Sequence, residues 1–149
     1  MAQIIFCLQF KGTATPGSES GVMKATTSAT SCSLRTTVGP DGVEGTFIPA
    51  EGGLAYFESE VRMTGSNAFL ESGTITFGDG DHTLKFSTVG QGHLTPDAGS
   101  KTMVGAVIWK VESGEGQFKD AAGLITSNFS IDETGDVIDH QFGVISAKA

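Results

Sequence analysis

Three titratable side chains stand where strand alternation should turn them toward an apolar interior. The first is Glu71. Successive strand residues point to opposite faces, and in the run from Ala68 to Phe77 one side reads Phe69, Glu71, Gly73, Ile75, Phe77. A carboxyl group among Phe69, Ile75 and Phe77 is poorly hydrated. Its pKa should rise toward neutrality, where a general acid or base works best. The second is His82, which opens the side His82, Leu84, Phe86, Thr88. The third is His140, on the side Ile138, His140, Phe142, Val144 of the last strand candidate. A histidine near such a carboxyl can relay a proton or hold a substrate oxygen. Glu71, His82 and His140 are therefore the catalytic candidates. The competing account sets Glu71 at a strand end or bulge, where alternation breaks and the carboxylate meets water.

Around these groups the aromatic residues Phe57, Phe69, Phe86, Trp109 and Phe129 are candidate walls of a ligand cavity, although a tryptophan placed like Trp109 is more often simple core. His93 follows Gly90-Gln91-Gly92 and is placed at a barrel mouth. Three histidines and a carboxylate could in principle hold a metal. Metal sites favour close pairs such as H-x-H, and none occurs, so no metal ligand and no cofactor is assigned. Nucleophilic chemistry has no support either. There is no nucleophile elbow, and Cys7 has no basic neighbour in sequence.

Composition narrows the partners. The chain has 149 residues, the size of one domain. Its net charge is −8 and its nine Lys and Arg are dispersed, which argues against nucleic acid, since that needs a basic footprint. No run of about 18 apolar residues is present to cross a membrane. The start, Met1 to Leu8, is apolar without a basic flank and reads as a first strand rather than a signal peptide. Cys7 and Cys32 are too few for a disulfide framework. A cytoplasmic protein with reduced thiols is the expectation.

The elements that must position the candidates are strands. Turn signals such as Gly39-Pro40-Asp41-Gly42, Glu51-Gly52-Gly53, Gly78-Asp79-Gly80 and Asp132-Glu133-Thr134-Gly135 separate short runs rich in Thr, Val, Ile and Phe. That spacing predicts an all-β sandwich or barrel. Ile4, Phe6, Leu8 and Phe10 share a side. Met23 to Val38 reads as two short strands or one bent one, and Val43 to Ile48 as a short strand. From Leu54 to Thr64, Phe57, Ser59, Val61 and Met63 face in and Tyr56, Glu58, Glu60 and Arg62 face water. Gly123 to Ile131 carries Ile125, Ser127, Phe129 and Ile131 on one side. One helical turn is expected near Asp120-Ala121-Ala122. Lys101 to Glu112 is apolar on both sides and reads as a strand covered on both faces. In a small barrel the outer cover is a second subunit, so a homo-oligomer is expected.

The most patterned stretch is Gly114-Glu115-Gly116-Gln117-Phe118-Lys119-Asp120-Ala121-Ala122-Gly123. Its glycines permit a tight hairpin with φ > 0, Phe118 can fold back as a plug over one barrel end, and Ala121 and Gly123 let the chain pass beneath it. No helix and no Gly-Lys-Ser/Thr ending follow, so it is not a phosphate loop. The stretch resembles the G-x-G-x-F-x-x-A-x-G motif of plant dirigent proteins and allene oxide cyclases. Ser113 stands where that family often has Gly, and the resemblance covers about the last 45 residues. It implies a closed antiparallel eight-stranded β-barrel with an axial cavity for small apolar molecules. Allene oxide cyclases cyclise a fatty-acid epoxide, and dirigent proteins orient phenoxy-type radicals or quinone methides. The family's catalytic residues lie in upstream strands that do not align here, so none is carried over.

The functional expectation is a cofactor-independent isomerase, cyclase or lyase acting on an apolar oxygenated molecule by acid/base catalysis. Its alternatives are a non-catalytic, dirigent-like binder and a metal-dependent oxygenase or hydrolase.

Overall fold

The structure is a computed structural model and describes residues 2–147. Its strands are β1 (Ala2–Pro16), β2 (Val22–Gly39), β3 (Gly42–Met63), β4 (Ala68–Phe77), β5 (His82–Thr88), β6 (Gly92–Pro96), β7 (Met103–Glu115), β8 (Ala122–Ile131) and β9 (Asp136–Ala147). All pairings are antiparallel. Eight strands close into a ring in the order β1, β2, β3, β4, β5, β7, β8, β9 and back to β1. The short β6 bridges β4 and β7 beyond the end of β5. Closure of the ring pairs the sheet edges that would otherwise be exposed. The all-β barrel architecture read from the turn spacing is thus the one observed.

The ring is filled by alternate side chains. Phe57, Phe86 and Trp109 stack across its middle, with ring centroids 4.3–5.5 Å apart. Phe10, Ile75, Leu84 and Ile125 pack around them with no exposed surface. Small residues on β2 and β3, such as Ala25, Ala29 and Ala55, leave room for these rings.

One end is shut by the patterned stretch. Gly116 takes φ +62°, and Gly116–Phe118 forms a single 3₁₀ turn. A Cβ on Gly114 would lie 2.6 Å from the Phe118 Cβ, so only glycine lets the phenylalanine fold back there. The Phe118 ring is 2% exposed, with its centroid 5.1 Å from that of Phe77. The plug is as expected. The helical turn expected near Asp120 lies instead at Gly116–Phe118.

Two other expectations need correction. Val43 to Ile48 is not a short strand but part of the long β3, while Met23 to Val38, expected as two short strands or one bent one, is the single strand β2 with an irregularity between Thr30 and Cys32; the outer halves of β2 and β3 form a two-stranded arm from Cys32↔Pro49 to its tip at Gly39↔Gly42. Glu51-Gly52-Gly53 is not a turn between strands but the irregularity in β3 where the arm leaves the ring, opposite the register shift between Thr30 and Cys32. Within this chain β7 is buried on its inner face, at Val107 and Trp109, while Ile108 is 45% exposed on the outer face, where the expected cover is a second subunit.

Candidate functional site

The end opposite the Phe118 plug is where the interior becomes polar. There β2 and β9 begin and β3 and β8 end. A small cavity of about 50 Å³ lies inside it. Its walls are apolar, including Met23, Met63, Phe69, Leu94 and Phe129, and the Phe57 ring lies at its inner limit. Two carboxyl groups line it, Glu71 from β4 and Asp139 from β9.

Glu71 is 8% exposed. Ser59, which lies diagonally across on β3 as the partner of Gly73, donates its hydroxyl to Oε2 at 2.6 Å. Thr88 fixes the backbone: its hydroxyl donates to the Glu71 carbonyl at 2.8 Å and accepts the Glu71 N–H at 2.7 Å. Burial pushes the Glu71 carboxyl up to about 8. The Ser59 hydrogen bond opposes that rise, the charge of Asp139 adds to it, and the Trp109 indole N–H lowers it slightly. The indole makes no close hydrogen bond, so its influence is that of a nearby dipole.

Asp139 is 5% exposed and more fully satisfied. Ser127 donates to Oδ1 at 2.6 Å and the Gln141 amide donates to Oδ2 at 2.8 Å. Burial raises its pKa to about 6, less than for Glu71 because two donors favour the anion. Asp139 therefore ionises first, and its charge holds the proton on Glu71. Between about pH 6 and 8 the pair is one carboxylate and one carboxylic acid. Two carboxyl groups with pKa values split by their surroundings are the arrangement that supplies an acid and a base together.

Among the described residues, three buried polar atoms have no partner: Thr27 Oγ1, Trp109 Nε1 and Gln141 Oε1. A buried donor or acceptor without a partner costs about 1–3 kcal/mol. Thr27 lines the same cavity as the two carboxyls, so the interior holds unused hydrogen-bonding capacity where a ligand could meet it.

The histidines do not join Glu71. His82 lies on the inward-pointing side of β5, but as its first residue it falls past the barrel end and is exposed. Its Nδ1 accepts the Gln117 N–H at 3.0 Å, so it anchors the closing turn. His140 was expected inside and is outside. The inward side of β9 is Val137, Asp139, Gln141, Gly143 and Ile145, all buried. His140 stacks on Phe47 of the arm at 5.2 Å, and its Nε2 lies 3.0 Å from the Gln9 amide nitrogen. His93 is exposed on β6, and with His140 it flanks a shallow outer groove of about 690 Å³. Of the aromatic wall candidates, Phe57, Phe69 and Phe129 line the interior cavity. Phe86 and Trp109 belong to the packed layer beneath it.

Among the described residues, no three His, Cys, Asp or Glu side chains gather as a metal site. Burial, and then the nearby Cys32, raise the pKa of the Cys7 thiol, which suits a structural thiol rather than a nucleophile. No helix among the described residues is long and apolar enough to cross a membrane.

Asp139 was missed because its strand carries more apolar residues outside than inside. The partner strand held the signal. Ser127 and Phe129 were read on one face of β8, and they pair directly with Gln141 and Asp139. Direct cross-strand partners share a face.

Comparison with known proteins gives the fold a relative. No protein-family model matches the chain, and a search of the curated proteins finds no match. Among solved structures, the pterocarpan synthase dirigent protein GePTS1 is similar over 99% of this chain and 89% of its own, with a TM-score of 0.59 and 14% sequence identity. The barrel is therefore of the dirigent type.

Proposed function

We propose that this dirigent-type barrel is a cofactor-independent isomerase, cyclase or lyase for a small, uncharged, oxygenated molecule. The observation that carries the reading is the pair Glu71 and Asp139, buried in one apolar cavity and titrating about 8 and about 6. Protonated Glu71 gives its proton to a carbonyl, ether or epoxide oxygen as the C–O bond polarises or opens. The Asp139 carboxylate takes a proton from the neighbouring carbon or hydroxyl. The electron pair released from that bond forms the new C=C or ring bond. One proton enters and one leaves, so no oxidant or reductant is needed. An apolar lining excludes water, which strengthens both transfers.

Substrate enters at the end opposite the plug. A cavity of about 50 Å³ admits only a small group as it stands. Met23 and Met63 line it and are only half buried. Methionine is unbranched and adaptable, so these two side chains give way as the reacting end goes in.

Trp109 is the single tryptophan in the chain and lies directly beneath the site. Titration with the uncharged dye N-phenyl-1-naphthylamine should quench its emission saturably. Met63→Trp fills the entrance, introduces a second fluorophore and should abolish the dye's own fluorescence gain. Absence of saturable binding would remove the interior site altogether.

For turnover, the measure is a panel of epoxides, enones and hydroxy-ketones. Glu71→Gln should lower kcat by 10²–10⁴ while leaving affinity nearly unchanged, the usual loss for a general acid. Saturable binding with no turnover on any of them would favour the second reading, a non-catalytic binder. The mostly apolar walls of the cavity already suit that role.

A further inference from the structure

Cys7 and Cys32 are the only cysteines in the chain, both are free thiols, and the fold brings them together. Pairing of β1 with β2 runs from Pro16↔Met23 to Lys11↔Ser28. Carried on in the same register, it would set Cys7 opposite Cys32. Beyond Ser28 the strands part, and β2 shifts register between Thr30 and Cys32 as it enters the arm. Cys32 nevertheless stays over that position, because its thiol donates to the Cys7 carbonyl at 3.4 Å. Cys7 lies on the outward side of β1, since Ile4, Phe6, Leu8 and Phe10 all pack on the core. The two thiols therefore belong to the seam where the base of the arm rests on its own barrel.

The seam is lightly held. A thiol is a weak donor, and the stack of Phe47 on His140 beside it is only half buried. The arm joins the ring at the register shift of β2 and at Gly52-Gly53 of β3, where Ser31 donates to the Gly53 carbonyl at 2.8 Å. Within the seam lies a cavity of about 50 Å³ that Cys32 lines, with Gln9 and Thr30 as its polar walls and Phe47 and Pro49 as its apolar ones. That volume admits a molecule roughly the size of one or two waters. Hydrogen peroxide is of that size, and it is the small oxidant that thiols reduce.

We propose that Cys7 and Cys32 are a dithiol oxidised by peroxide, and that their disulfide latches the arm to its own barrel. Cys32 lines the cavity and reacts first. Its thiolate sulfur attacks one peroxide oxygen, the O–O bond breaks, and the departing hydroxide takes up the thiol's proton and leaves as water. Cys32 is then a sulfenic acid. The Cys7 thiol gives up its proton as its sulfur attacks that of Cys32. The S–O bond breaks, and a second water leaves. Two thiols have lost two electrons and two protons, and one peroxide has become two waters. Burial, and then Cys32, hold the proton on Cys7, so Cys7 is a poor nucleophile toward free oxidants and acts only on the sulfur held beside it. Directly opposed strand residues hold their Cβ atoms about 4.5–5.5 Å apart, and a disulfide needs about 3.5–4.5 Å, so a small settling of the arm joins the two. Both residues are half-buried rather than sealed, so thiol reductants reach the bond and restore the dithiol.

The test treats the reduced full chain with hydrogen peroxide. Both thiols should disappear together, with an intact mass lower by two hydrogens and no cross-linked chains, and dithiothreitol should reverse the change. Peptide mapping without reductant should join the Cys7 and Cys32 peptides. Hydrogen exchange at the base of the arm, over Ser33, Leu34, Phe47 and Ile48, should slow roughly tenfold on oxidation as local opening is suppressed. Cys7→Ser should leave Cys32 at the sulfenic acid, which dimedone traps, and Cys32→Ser should leave Cys7 unoxidised under the same treatment. Oxidation to sulfinic acid without linkage, or linkage only between chains, would overturn the proposal. So would a Cys7–Cys32 bond that leaves exchange in the arm unchanged.

Discussion

Glu71→Gln should make the protein more stable at pH 8, by an amount on the order of 3–4 kcal/mol, while changing little at pH 4.5. The Glu71 carboxyl has an ordinary pKa of 4.5 and a folded one of about 8. The folded state therefore holds a proton that the unfolded state has released over that whole range. Below pH 4.5 both states are protonated and burial of the neutral acid carries no charge penalty. As pH rises from 4.5 toward 8, the unfolded chain gains by ionising and the folded chain does not, and stability falls by about 1.4 kcal/mol per pH unit. Asp139, raised from 3.8 to about 6, adds to the fall in the lower part of the range. Glutamine can still accept the Ser59 hydroxyl and never ionises, so the variant loses this dependence. Exposed groups such as Asp132 act with the opposite sign. Its carboxylate accepts from Thr134 and backbone N–H groups, sits below its ordinary pKa, and loses its contribution only as pH falls through that value. The unaltered protein should thus be most stable in mild acid, with chemical denaturation at pH 4.5, 6, 7 and 8 as the measurement. Equal slopes for the two proteins would mean that Glu71 ionises freely and is no acid at neutral pH.

The same substitution separates stability from function. A buried carboxyl that only weakens the fold at neutral pH is a liability, and its replacement should be favourable. A substitution that raises stability while removing turnover is the mark of a group kept for chemistry. Glu71 is well placed for that test because glutamine can keep the hydrogen bond from the Ser59 hydroxyl.

How far the sequence spoke depended on which side of each strand was apolar. On β4 the apolar side faces in, so alternation placed Glu71 among Phe69, Ile75 and Phe77 correctly. On β9 the same reasoning failed. Ile138, Phe142 and Val144 lie outside, and the inward side is Val137, Asp139, Gln141, Gly143 and Ile145. Gly143 is small for a reason: a Cβ there would lie 2.1 Å from the Phe6 ring, which occupies that space from β1. Hydrophobic alternation assumes that the outer face meets water, and a strand whose outer face is largely apolar breaks the assumption. The arm was hidden by the opposite problem. Thr- and Ser-rich β2 has little contrast between its sides, and Gly52-Gly53 looks like a turn although it lies within one long strand. The closing stretch was legible because its constraint is local: three glycines, one phenylalanine and a backbone that must turn.

That closure sets up the second large effect. Phe118→Ala should cost about 3–5 kcal/mol, the range for a buried phenylalanine whose space does not collapse. The ring is 2% exposed, packs against Phe77, and is held from below by Gly114. The backbone around it is fixed by Gly116 at φ +62° and by the hydrogen bond from Gln117 to His82, so the gap cannot close. Phe118→Leu keeps most of the volume and should cost about half as much. The more telling measurement is the cost at two pH values. The plug and the carboxyl pair lie at opposite ends of the barrel, with the stacked layer of Phe57, Phe86 and Trp109 between them. Distant substitutions without shared partners add. The loss from Phe118→Ala should therefore be the same at pH 5 and pH 8, and Glu71→Gln should raise stability at pH 8 equally with or without the plug. If the cost of losing Phe118 instead changed with the ionisation of Glu71, the closing motif would reach the site through the aromatic layer, and it would have to be counted among the residues that shape the chemistry rather than as the stopper at the far end.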